Sequence, residues 1–211
     1  MIENNRQQQH TAARDSVIRG DDIHNEVRQI VVDALKNGQM EPGHIKEVIQ
    51  AVVNGAFEGA TENEPEAKKV LQQTVTGIDN ALSQVAQASS LAIEEAAGNV
   101  EEFTEHDLKR ALTDLSDLEK LFFDTLADVA KGGQKMTSKA LNNIVEHLQQ
   151  SSTSVGRTAT ETSDHLLGFL ANQGKNIQLA DVAKTTGASV ARVASGLLAG
   201  IADSLSTEEK K

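Results

Sequence analysis

Apolar residues recur every three to four positions along most of this 211-residue chain, which is the spacing of amphipathic helices. One row predicts a helix over residues 22–37, and a second row, from Ile45 to Phe57, predicts another after the turn-forming segment GQMEPG. These two helices form a predicted helical hairpin over residues 21–62. Residues 1–20 are polar, and we expect them to form a disordered arm.

Residues 63–205 predict a bundle of long helices. Leu71, Leu82 and Ile93 follow one another at intervals of eleven residues, a period close to that of a straight helix. From Leu108 onwards the period is seven, as in a coiled-coil seam. The first heptad row contains Leu108, Leu115, Phe122 and Val129, and Leu112 and Leu126 belong to the second row, which Glu119 interrupts.

The C-terminal third is less apolar and leaves two interpretations open. Eight of the sixteen residues from Gln149 to Asp164 are Ser or Thr, so either a loop interrupts the helix there or the seam is weak and able to separate. A final helix over residues 179–205 is predicted from Val190, Leu197 and Ile201. Its GxxxG, Gly196 and Gly200, favours close helix packing over membrane contact. Residues 206–211 form a charged tail.

The pattern therefore predicts an all-α protein, an elongated bundle of about six helices with coiled-coil-like seams. We expect its interaction surface to be an apolar stripe along the seams. The stripe residues are Leu71, Leu82, Ile93, Leu108, Leu112, Leu115, Phe122, Leu126, Val190, Leu197 and Ile201.

Composition and charge narrow the classes of function. The net charge is -11, and the 20 Lys and Arg residues form no cluster, so the sequence argues against nucleic acid binding. Disulfides and zinc-thiolate sites need cysteine, and the chain has none. The first 20 residues lack the apolar run of a signal peptide, and no apolar run reaches the length of a transmembrane span. We therefore expect a cytoplasmic protein.

Candidate chemistry is sparse. The sequence has no nucleophile elbow, phosphate-binding loop or zinc-protease motif, so we expect no enzymatic activity and no cofactor. Two pairs approach metal-ligand spacing, Glu102 with His106 and Asp21 with His24, but both lie among other charges and we predict no metal site. Residues 101–131 contain nine acids and four bases, which fit a solvated helix face, or alternatively a docking surface for a basic partner.

The long Ala-rich amphipathic helices, with seams such as ALSQVAQASSLAIEEAAGNVEEF, resemble the phasins, bacterial proteins that coat polyhydroxyalkanoate granules. The resemblance covers residues 64–205. It implies a non-enzymatic coat or scaffold protein whose helices open to lay their apolar stripes on a hydrophobic granule or lipid surface. The alternative is a self-associating coiled-coil module, whose partner would be a second copy or another protein.

Overall fold

A computed structural model describes residues 2–36, 42–61, 67–98, 105–132, 135–151 and 153–172. In these ranges the chain forms seven α-helices, which confirms the predicted all-α bundle. The helices are α1 (Ile2–Arg19), α2 (Ile23–Lys36), α3 (Pro42–Thr61), α4 (Ala67–Gly98), α5 (Glu105–Gly132), α6 (Lys135–Ser151) and α7 (Ser154–Asn172).

A single hydrophobic core receives buried side chains from all seven helices. Most of these side chains are aliphatic, and Phe122 is the one aromatic residue that is fully buried among the described residues. Helices α2 and α3, the predicted hairpin, contribute to the same core as the later helices. Each of these two helices packs mainly against a helix outside the hairpin, because α2 packs along α4 and α3 packs along α1.

The prediction of a disordered arm over residues 1–20 is wrong, because residues 2–19 form α1. This helix buries Ala13, Ser16 and Val17, which share one face, against the rest of the bundle. Two glycines of α3 make room for it, since a Cβ on Gly55 or Gly59 would overlap backbone atoms of α1. A mostly polar segment is therefore ordered by close helix packing rather than by large apolar side chains.

The structure describes the hydroxyl-rich region from Gln149 to Asp164 except for residue 152. Helix α6 continues to Ser151 and α7 begins at Ser154, so the region is helical on both sides of a short break. Helix α5, which carries the heptad row, ends at Gly132. The predicted helix over 179–205 and the charged tail lie outside the described residues.

Ion pairs on the surface support the arrangement of the helices. Lys46 of α3 donates to Asp128 of α5 over 2.7 Å, and this hydrogen bond, with the charge of the ammonium group, holds the pKa of Asp128 below its ordinary value. None of the helices in the described ranges combines the length and apolar content that crossing a membrane requires.

Candidate functional site

The predicted interaction stripe lies inside the bundle where the structure describes it. Leu71 and Leu82 of α4 and Phe122 and Leu126 of α5 are all buried in the common core. The remaining stripe side chains lie outside the described part of the molecule, namely those of Ile93, Leu108, Leu112, Leu115, Val190, Leu197 and Ile201. Any external surface can reach the four buried residues only after helices separate.

Helix α7 covers both helices that carry these four residues, because it packs against α4 and α5. The joint that holds it there is unusually polar. Five residues make its polar side-chain contacts, and we call them the α7 latch: Asp79, Ser83, Glu119, Thr153 and Thr158.

Asp79 binds the first turn of α7. It is 3% exposed, and its two carboxylate oxygens accept hydrogen bonds from the backbone N–H groups of Ser154 (2.8 Å) and Val155 (2.9 Å). The first N–H groups of a helix have no partner within the helix, and a carboxylate at this end also interacts favourably with the helix dipole. A side chain of α4 thus caps α7 from outside.

Thr153 completes the cap and ties it to α5. Its hydroxyl group accepts a hydrogen bond from the backbone N–H of Gly156 over 2.9 Å and donates one to Glu119. The Glu119 carboxylate occupies the space that a Cβ on residue 156 would need. Glycine at this position therefore lets an acid from a neighbouring helix sit against the start of α7.

One turn further along, Ser83 of α4 and Thr158 of α7 share a hydrogen bond of 2.8 Å between their buried hydroxyl groups. Such a bond adds little net stability, because water can satisfy both groups when the helices part. The joint between α4 and α7 thus mixes apolar contacts, such as that of Val155 in the core, with polar ones that water can replace.

A second feature is an open groove beside the latch, between α2 and α7 with α4 as its floor. It has a volume of about 610 Å³. His24 of α2 lines it, and its Nε2 lies 2.8 Å from the amide nitrogen of Asn80. Within the described residues no three His, Asp or Glu side chains are grouped as a metal site would require. The side chains of Glu102 and His106 lie outside those residues.

Comparison with known proteins gives one match. Residues 1–207 match the model of a family of unknown function, DUF6781. The chain belongs to this family. No significant match to the chain is found among curated proteins or among solved structures. The match covers every residue of the latch and of the groove.

The latch was not predicted from the sequence, although part of its signal is visible there. Asp79 and Ser83 lie beside Ile78 and Leu82 on the face of α4 that carries the apolar row, where polar residues are unexpected. Glu119 was recognised as an interruption of the heptad row of α5. What the sequence could not supply was the common partner of these three residues, which is the start of α7.

Proposed function

We propose that this protein is a non-enzymatic coat or scaffold that binds hydrophobic surfaces, with its bundle opening at the α7 latch. The observation that supports this most directly is the position of the apolar stripe. Leu71, Leu82, Phe122 and Leu126 are buried on α4 and α5, and α7 packs against both of these helices through a joint with replaceable polar contacts. Release of α7 would uncover apolar faces of α4 and α5 together.

The energetics favour opening at an interface over opening in water. Exposing a buried Leu or Phe side chain to water costs about 1.5–3 kcal/mol. On a granule or lipid surface the same side chain stays out of water, so most of that cost disappears. The carboxylate and hydroxyl groups of the latch meanwhile gain hydrogen bonds from water. A hydrophobic surface would therefore favour the open state of the bundle over the closed state.

The resemblance to phasins supports the same proposal, since it implies that amphipathic helices open onto a hydrophobic granule. The buried stripe explains how such a protein would avoid aggregation before it meets its surface. A cytoplasmic location belongs to this proposal as well, because storage granules of that kind form inside the cell.

The alternative proposal is a self-associating coiled-coil module. One observation favours it: Leu91 of α4 is 63% exposed, whereas the other leucines of that helix, Leu71 and Leu82, are buried. A second copy that packs along the exposed part of α4 would cover Leu91. The heptad row from Leu108 to Val129 is the interface that such a module predicts, but its residues Phe122 and Val129 are buried within the chain, so a contact through Leu91 would use α4 instead.

Size-exclusion chromatography with light scattering, with and without hydrophobic polymer particles, distinguishes the two proposals. A coat protein should leave its free peak and sediment with the particles, with helix content kept or raised. A stable oligomer that ignores the particles would support the coiled-coil module and reject the coat. A monomer that ignores them would reject both.

A further inference from the structure

The groove beside the latch has the composition of a binding site for a polar anion. Helices α2 and α7 both pack along α4 rather than along each other, and this leaves a cleft above α4. We call it the α2–α7 groove. Among the described residues no aliphatic side chain and no Phe lines it, and its principal residues there are His24, Arg28, Asn80, Gln84, Arg157 and Glu161.

Two arginines place positive charge in the groove. Arg28 lies on the α2 wall and Arg157 on the α7 wall, and neither guanidinium forms an ion pair with a carboxylate in the described part of the chain. This is notable in a protein with a net charge of -11, where acids outnumber bases by 31 to 20. Glu161 lines the groove one turn after Arg157, yet the two do not pair.

We propose that the α2–α7 groove binds a phosphate ester of a small polyol, with Arg28 and Arg157 holding the phosphate from opposite walls. A guanidinium presents a planar fork of N–H donors that fits phosphate oxygens, and a tetrahedral phosphate can accept from two such forks at once. Gln84 supplies an amide that can bind hydroxyl groups.

The size and the described lining of the groove are compatible with this ligand class. A volume of about 610 Å³ exceeds the needs of a bare phosphate ion and suits a small organic molecule. The described lining residues are polar or charged, which favours a polar ligand over a nucleotide base or an acyl chain, since those need stacking or apolar contact. Glu161 would accept hydrogen bonds from the hydroxyl groups of the polyol. The site needs the closed bundle, so a ligand bound in the groove would oppose the opening that the proposed surface binding requires.

Isothermal titration calorimetry with glycerol 3-phosphate, inorganic phosphate and uncharged glycerol tests the site on the full chain. We expect glycerol 3-phosphate to bind, inorganic phosphate to bind more weakly, and glycerol not to bind. The double variant Arg28→Gln/Arg157→Gln should bind glycerol 3-phosphate at least about tenfold more weakly, because charge-assisted hydrogen bonds are lost.

The matched control is Arg6→Gln/Lys68→Gln, which removes the same charge at two exposed positions outside the groove. It should bind within about twofold of the original chain, and thermal unfolding should show all three proteins folded. Equal weakening in both double variants would overturn the proposal, as would no binding of either phosphate at about 10 mM.

The phosphate ester that the groove binds could belong to a free metabolite or to a lipid headgroup. Vesicles of phosphatidylglycerol, added as competitor, separate these sources. If the vesicles displace glycerol 3-phosphate, the groove binds a lipid headgroup. If they do not, the groove binds a free phosphate ester. Polymer particles carry no phosphate, so loss of phosphate binding in the double variant with particle binding intact would separate this site from the coat function.

Discussion

Gly55 and Gly59 of α3 have no side chains, and this lets the backbone of α1 lie directly against them. Their G-x-x-x-G spacing is the same as that of Gly196 and Gly200, and the structure places the first pair where the backbone of α1 lies against α3. The spacing can be found in the sequence, but its partner cannot. Hydrophobic periodicity indicates which face of a helix is buried, but not which helix packs against that face. Residues 1–20 have too few apolar side chains to indicate even the buried face.

Substitution of Gly55 by alanine tests this contact. The new Cβ would overlap the carbonyl group of His10, and a backbone atom cannot move aside without shifting α1. We expect Gly55→Ala to lower the free energy of unfolding by about 2 kcal/mol or more, measured by urea denaturation.

The control for this substitution is Gly168→Ala in α7, where a Cβ meets nothing within 4 Å. Alanine is the better helix former, so this variant should gain about 0.5–1 kcal/mol. Equal effects of the two substitutions would show that α1 does not lie against α3.

Among the helices, α7 is the one whose packing against α4 and α5 the sequence indicated only in part. The hydroxyl content of residues 149–164 leaves open a loop or a weak seam, and the structure shows a helix end at Ser151 and a new helix from Ser154. The capping of α7 by Asp79 and Glu119 was beyond prediction, because these acids come from α4 and α5. Contacts between residues far apart in sequence depend on how the helices are arranged, which periodicity does not encode.

Removal of the Asp79 carboxylate tests how strongly the latch holds α7. Asp79→Ala leaves two backbone N–H groups at the start of α7 without their acceptor, which should cost about 2 kcal/mol or more in urea denaturation. It should also increase hydrogen exchange along α7 more than along α3.

The matched control is Asp117→Ala, since Asp117 is an exposed acid of α5 outside the latch. Its effect should stay within about 0.5 kcal/mol. If Asp79→Ala is equally harmless, or if the loss of protection spreads evenly over the helices, the latch does not control α7.

For the whole molecule, the sequence was sufficient for the all-α fold because three- to four-residue periodicity runs through every described helix except the most polar one, α1. It was also sufficient to place Leu71, Leu82, Phe122 and Leu126 on packing faces, where the structure buries them. It could not tell whether those faces meet one another or an external surface. In the closed bundle they meet one another, and the proposed coat function requires that state to be reversible.

A disulfide that locks the bundle tests this requirement most directly. The hydroxyl groups of Ser83 and Thr158 lie 2.8 Å apart, and the chain has no cysteine of its own. The double variant Ser83→Cys/Thr158→Cys should therefore form one disulfide between α4 and α7 on oxidation. Each single variant serves as a control that cannot form this bond within the chain.

The decisive measurement is sedimentation of this variant with hydrophobic polymer particles, in its oxidised and reduced forms. We predict that the reduced protein coats the particles as the original chain does, because α7 is free to leave. The oxidised protein should remain in the supernatant, and added reductant should restore its binding. Coating by the fully oxidised protein to the same extent as by the reduced protein would contradict opening at the α7 latch.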